Sequence, residues 1–307
     1  MEILTSTQAV RQWRQAQSKQ DKTIGLVPTM GNLHAGHLSL IALTQQHADC
    51  CIASVFVNPT QFGPTEDYEA YPRTWEADCH ALRTAHVDAV FAPTGPEILY
   101  PSAPTEQVGL IPPHAAHGLC GAWRPSHFSG VLQVVNKLFN LIQPDYATFG
   151  EKDYQQLTLI RLMVRDFLLP IRILSSPVIR EPSGLAMSSR NQRLSNQDRQ
   201  IGAQLSQHLF QTRHAWLNGD LQTPSAQTEH CQTQLAHLNS VGFRMQYYEM
   251  RRADTLQTLD TRSPDTPSMP AQHLSSPHQD TIAVLAAGYL GETRLIDNIL
   301  IQNASLI

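Results

Sequence analysis

The sequence predicts an α/β protein, with a Rossmann-like parallel-sheet domain over residues 1–180 and a smaller α+β C-terminal domain over 181–307. Three observations predict it. Short apolar, partly β-branched runs alternate with segments of helical periodicity. A glycine-punctuated loop carrying two histidines stands where one such run hands over to a helix. Near residue 180 the texture turns polar and mostly helical. Alternation of this kind implies right-handed βαβ units, a parallel sheet and helices on both of its faces.

Thr23-Ile24-Gly25-Leu26-Val27 is short and apolar and opens a buried strand over 24–29. Leu38, Leu40, Ile41 and Leu43 then recur near helical spacing and predict a helix over 37–48. A strand from Cys51 to Val57, a helix from Thr74 to Ala85 and a strand from Val87 to Ala92 continue the rhythm. From Gly130 to Ile142 a helix presents Val131, Val134, Val135, Leu138, Phe139 and Ile142 on one stripe. It leads into Tyr146-Ala147-Thr148-Phe149, a further buried strand. Glu181-Pro182-Ser183-Gly184 reads as the turn that closes the sheet domain. Beyond it lie helices from Asn196 to Ala215 and Ser225 to Val241, and strands of a second small sheet from Met245 to Arg251 and Thr281 to Ala287. Residues 261–280, Ser-, Pro- and His-rich from Thr261 to Gln279, predict a disordered surface insertion with His273 and His278 solvated.

Composition narrows the function classes. A chain of 307 residues exceeds a typical single domain, and two domains each bury a core. A net charge of -4 and a pI near 6.4 give no general attraction to nucleic acid or anionic lipid, so neither is expected as a partner. Met1 through Gln20 lacks a signal-peptide core, and no apolar span reaches the ~18 residues of a membrane helix, so a cytoplasmic protein is expected. Cys50, Cys51, Cys79, Cys120 and Cys231 are odd in number with neither metal nor redox spacing, and read as free thiols.

The loop Pro28-Thr29-Met30-Gly31-Asn32-Leu33-His34-Ala35-Gly36-His37 carries the chemistry. At a strand-to-helix junction the first helical N–H groups lack intrahelical partners and sit at the positive end of the dipole, where an anion is stabilised. Gly31 and Gly36 allow close backbone approach, and an imidazole can donate to a phosphate or, as a cation, offset charge developing on it. The same spacing also suits half of a metal site or two structural histidines, although no nearby Cys, His or carboxylate set completes a tetrahedron. Gly150-Glu151-Lys152-Asp153 suits a phosphate or ribose, and equally a surface ion pair. Met187-Ser188-Ser189-Arg190-Asn191 offers hydroxyl donors and a guanidinium fork, a triphosphate clamp or else a helix cap.

These segments resemble the His-x-Gly-His signature of the nucleotidyltransferase superfamily and, within it, the pantothenate synthetase (pantoate–β-alanine ligase) family. The resemblance runs through Ser54-Val55-Phe56-Val57-Asn58-Pro59-Thr60-Gln61-Phe62, Tyr71-Pro72-Arg73-Thr74, Phe149 through Gln156 and Gly184 through Asn191. Weaker echoes are Tyr248-Glu249-Met250-Arg251 and Leu295-Ile296-Asp297-Asn298. It implies ATP contacts at Met30, Gly31, Asn32, Leu33, His34, Ala35, Gly36, His37, Gly150, Glu151, Lys152, Asp153, Ile179, Met187, Ser188, Ser189 and Arg190. His37 is the expected acid, with His34 on phosphate and Lys152 as the third catalytic group. Gln61 is carried over for pantoate and β-alanine, and Gln156 for pantoate.

The implied chemistry is ATP-dependent pantothenate formation through a pantoyl adenylate. Mg²⁺ is expected on the triphosphate with few protein ligands; Asp78 and Asp153 are at most outer-sphere helpers. A homodimer and a C-terminal region that covers the cleft are also implied. Ser126 and Ser129 stand where the family pattern has Gly and Arg, which leaves Arg124 without an assigned role. The alternatives are a transferase that leaves the nucleotide on its product and a nucleotide-binding module without catalysis.

Overall fold

The computed structural model describes residues 1–64, 66–259 and 281–302. The predicted insertion at 261–280, with His273 and His278, lies outside the described residues. Two compact units emerge. Met1–Glu151, Leu159–Ile179 and Met187–Ser189 form the first; Lys152–Thr158, Arg180–Ala186 and Arg190–Ile307 form the second.

The first unit contains strands β1 (Glu2–Leu4), β2 (Ile24–Thr29), β3 (Cys50–Val55), β4 (Ala89–Phe91), β5 (Tyr146–Gly150) and β6 (Arg172–Ser176). They form one sheet in the order β1-β4-β3-β2-β5-β6, every pair parallel, with Ile24 opposite Cys50 and Gly25 opposite Tyr146. Helices α1 (Thr7–Ser18), α2 (Ala35–Gln45), α3 (Trp75–Thr84), the single turn α4 (Cys120–Trp123), α5 (His127–Ile142) and α6 (Tyr154–Asp166) complete the alternation, the first turn of α6 belonging to the second unit.

Side chains on a strand alternate between faces, and the burial follows. Val27, Cys51, Ala53 and Val90 pack with Leu40 and Ile41 of α2 and Leu82 of α3 in one cluster. Leu26 and Ile52, on the alternate face, are as fully buried. All six residues of the α5 stripe are buried. Each such side chain stabilises the unit by roughly 1.5–3 kcal/mol relative to exposure. Strands β3, β4 and β1 build outward from one edge of β2, while β5 and β6 build from the other. The order therefore reverses between β2 and β5, and ligands of open parallel sheets bind beyond the carboxyl ends at such a switch point.

The second unit contains α7 (Asn196–Leu217), α8 (Pro224–Ser240) and the antiparallel sheet β7 (Phe243–Arg252), β8 (Thr281–Leu290) and β9 (Thr293–Gln302). Ser195 and Asp198 form a reciprocal capping box at the start of α7. Leu205, Leu209, Leu238, Phe243, Val284 and Leu295 belong to its core.

The Rossmann-like class and the small second sheet are as predicted, with shifted boundaries. The helix expected over 37–48 starts at Ala35 because His34 caps it. Unannounced in the pattern are β1, α1, α6, β6 and β9. Three residues are too few for periodicity to register β1, and α1 buries only Val10 and Trp13 among polar residues.

Candidate functional site

The turn after β2 is shaped from beneath. The Thr29 hydroxyl donates to the Ser54 carbonyl at 2.6 Å, fixing the strand end. Gly31 and Asn32 then adopt left-handed backbone, with φ of 84° and 51°. Glycine does this without steric cost, and asparagine is among the few other residues that tolerate it. The buried carboxylate of Asp78, on α3, accepts the Asn32 N–H at 3.0 Å and the Leu33 N–H at 2.8 Å.

His34 caps α2 with its ring. Its Nδ1 accepts the Gly36 N–H at 3.1 Å, and the His34 N–H donates to His37 Nδ1 at 3.3 Å. The ring centroids are 4.1 Å apart. A ring nitrogen that accepts from an N–H carries no proton, so this network fits the tautomer with the ring proton on Nε2. In that tautomer each ring is a hydrogen-bond donor at Nε2.

The backbone donors of the turn are also redirected. Gly31 N–H meets the Thr29 hydroxyl at 3.2 Å, and the N–H groups of His37 and Leu38 meet the His34 carbonyl. The N–H groups of Asn32, Leu33, His34 and Gly36 are engaged as described.

Three distant stretches meet in this unit. The Met187 N–H donates to the Ile179 carbonyl at 2.9 Å. Asn32 Nδ2 reaches the Ser189 carbonyl at 3.4 Å, and the Tyr71 hydroxyl lies 3.3 Å from Ser189 Oγ. A Cβ on Gly36 would stand 4.0 Å from that of Met187. Thus Met30–His37, Ile179 and Met187–Ser189 gather at the carboxyl end of β2. At the end of β5, Glu151 accepts from the Ser175 hydroxyl at 3.1 Å.

Gln61 is 9% exposed and doubly anchored. Its Oε1 accepts from Asn58 Nδ2 at 3.0 Å, and its Nε2 lies 3.2 Å from Met30 Sδ. Asn58 is itself held by the Tyr100 hydroxyl at 2.8 Å and by the Gly130 carbonyl at 3.2 Å. A Cβ on Gly130 would stand 2.1 Å from the Thr60 carbonyl oxygen, so only glycine lets α5 approach this turn. The Gln61 carbonyl accepts His127 Nδ1–H at 2.9 Å and Arg124 Nη2–H at 3.4 Å. Arg124 grips Glu66 with both arms, at 2.7 Å and 2.5 Å. Burial pushes the Glu66 carboxyl up, but the Arg124 hydrogen bonds and charge outweigh it, holding the group below its ordinary range. Arg124 thus braces the Gln61 turn. Tyr100 lay outside sequence reasoning, and Tyr71 and His127 carried no role in it; Asn58, followed by Pro59, carried the one legible signal, that of a turn-capping side chain.

Lys152, Asp153, Gln156 and Arg190 belong to the second unit. The Lys152 carbonyl accepts from Asn298 Nδ2 at 2.9 Å, and its Nζ lies 3.9 Å from Asp153 Oδ2. Gln156 is half-buried on α6, beside the more deeply buried Gln155. Arg180 binds Asp297 with both arms, at 2.5 Å and 3.0 Å, and also donates to the Gly184 carbonyl. Burial pushes the Asp297 carboxyl up, against the pull of Arg180. Among the described residues, no group of three or more His, Cys, Asp or Glu could hold a metal ion, and no helix is long and apolar enough to cross a membrane.

Residues 2–300 match the model of the pantoate-beta-alanine ligase family. The chain is 43% identical over 306 residues to a pantothenate synthetase of Idiomarina loihiensis, covering 99% of each. It is 44% identical over 299 residues to one of Xanthomonas campestris, covering 97% of this chain and 99% of that one. A pantothenate synthetase from Thermus thermophilus superposes with a TM-score of 0.83 at 36% identity, covering 99% of this chain and 100% of that one. A pantoate-beta-alanine ligase from Francisella tularensis, complexed with beta-gamma ATP and beta-alanine, gives a TM-score of 0.76 at 34% identity, covering 98% and 97%.

Proposed function

The chain belongs to the pantoate-beta-alanine ligase family, and from that premise we propose how its residues divide the work. The reaction is the ATP-dependent condensation of (R)-pantoate with β-alanine to pantothenate. The pantoate carboxylate attacks the α-phosphorus of ATP, forming pantoyl adenylate as pyrophosphate leaves. The β-alanine amine then attacks the acyl carbon, and AMP departs. A carboxylate is a poor acyl donor until it carries a good leaving group, so catalysis here is positioning plus neutralisation of phosphate charge.

Met30–His37, Gly150–Asp153, Ile179 and Met187–Arg190 hold ATP. His37, with its proton on Nε2, donates to the phosphoryl group as charge builds there. His34 binds phosphate, Ser188 and Ser189 donate hydroxyl hydrogen bonds to the triphosphate, and Lys152 and Arg190 neutralise its charge. Gln61, its Oε1 taken by Asn58, presents its amide protons to pantoate and near β-alanine, and Gln156 supplies a second pantoate contact. Magnesium enters as MgATP, held by phosphate oxygens and water; the Asp78 carboxylate already accepts two backbone N–H groups and the Thr74 hydroxyl. The observation that carries this reading is the reciprocal capping of His34 and His37 at the sheet's switch point.

The protein works as a cytoplasmic homodimer, and a monomer mass by light scattering would remove the dimer. Its C-terminal region, 181–307, covers the reactive adenylate; tryptic cleavage unchanged by ATP plus pantoate would remove the cover. The direct test supplies MgATP, (R)-pantoate and β-alanine, omitting each acid in turn. Free AMP and pantothenate form only with both acids present. A nucleotide retained on the final product would assign a nucleotidyltransferase instead, and ATP binding without turnover a binding module.

A further inference from the structure

We propose that Asp78 is a positioning residue, setting the affinity for ATP by locking residues 31–33 of the turn between β2 and α2; this rests on the reading of that turn as an ATP-binding element. Asp78 is only 2% exposed and reaches the turn from another helix, 46 positions along the chain from Asn32. It gives one carboxylate oxygen to each of two successive N–H groups, Oδ2 to Asn32 and Oδ1 to Leu33. The Thr74 hydroxyl, one helical turn earlier, donates to Oδ2 at 3.2 Å. No cation pairs with Asp78 among the described residues; neutral donors alone hold it.

Burying a carboxylate without a cation is costly, and an apolar side chain would fill the space more cheaply. What the carboxylate supplies is a pair of acceptors that hold Gly31 and Asn32 in left-handed backbone. The fit is close, since a Cβ on Gly31 would stand 2.9 Å from Asp78 Oδ2. The held segment runs directly into His34, and it aims Asn32 Nδ2 at the Ser189 carbonyl. Asp78 therefore acts through the turn, without touching nucleotide.

Asp78→Asn keeps the volume but puts an amide N–H against a backbone N–H. The KM for ATP should rise about 10- to 100-fold, since displacement of a positioned group by an ångström costs rates of that order. The KM values for pantoate and β-alanine should stay within about threefold, with an unchanged circular dichroism spectrum. Should the variant not fold, Thr74→Val decides: a rise in KM for ATP alone, of a few fold, supports the latch, and no change overturns it. A parallel rise in all three KM values with a lowered Tm overturns it as well, leaving Asp78 merely structural. His34→Ala separates the two levels. If it weakens ATP while Asp78→Asn does not, the latch fails alone; if neither variant changes ATP binding, the reading of the turn fails.

Discussion

Both units gather histidines, hydroxyls and amides into polar networks, but in opposite ways. In the turn at residues 29–37 the polar side chains bond to backbone: Asp78 takes the N–H groups of Asn32 and Leu33, and the two imidazoles take those of Gly36 and His34. In the second unit a cluster on α7, α8 and β7 joins polar side chains to one another. Thr212 Oγ1 lies 2.6 Å from the Tyr248 hydroxyl and 2.9 Å from His230 Nε2, and His208 Nδ1 lies 2.5 Å from Gln234 Oε1. The first arrangement forces a chain into left-handed conformations and fixes where two ring protons sit. The second closes on itself and fastens α7, α8 and β7 together. In the turn, polar groups shape backbone; in this cluster, they tie three elements together.

The largest effects should fall on the groups that meet phosphate. His37→Ala and Lys152→Ala should each lower the rate of pyrophosphate release by about 10²-fold or more with circular dichroism unchanged. Near-normal turnover in either would break the contrast at its first term. Next comes Gly130→Ala, where the new methyl meets the Thr60 backbone. It should cost about 1–3 kcal/mol of stability and raise the KM for pantoate more than that for ATP, because the strained turn carries Gln61.

Tyr248→Phe tests the other side. Losing a buried hydroxyl that bridges Thr212 and the His208 carbonyl should cost about 1–3 kcal/mol in urea melts while leaving kcat and all KM values alone. A fall in kcat at full folding would mean that the joint is part of the site. The smallest effect is in acid. Burial depresses the His230 pKa below its usual 6.5, with Asp220 opposing and His208 adding to the depression. Folding thus favours the neutral ring, so its contribution is fully present above pH 6.5 and is lost as pH falls below that value toward the depressed one. His230→Gln should flatten the decline of Tm just below pH 6.5. Glu66, held below 4.5, weakens the first unit only further into acid.

Much of the fold was legible because its signals are local. The run Ile24–Thr29 and the α5 stripe announce themselves by periodicity, and the buried face of each is the predicted one. The β9 strand escaped because buried Asp297 and Asn298 interrupt its apolar alternation. At the site, the histidine motif was legible as residue types at a fixed spacing, but its reciprocal capping was not, since that depends on which backbone N–H each ring accepts. Arg124 likewise had no role until Glu66 stood opposite it.

By itself the sequence determined the alternation of strand and helix, the handover from β2 to α2, and the segments that carry the chemistry. Those properties reside in neighbours a few positions apart, where spacing alone selects a face or a cap. Only the tertiary structure decided that Asp78 would hold Asn32 from 46 positions away, that Ser189 would meet it from 157, and that α5 would close on the Gln61 turn at Gly130. Such contacts follow from how whole elements pack, and a carboxylate, an amide or a missing Cβ acquires its meaning from the group that packing sets against it.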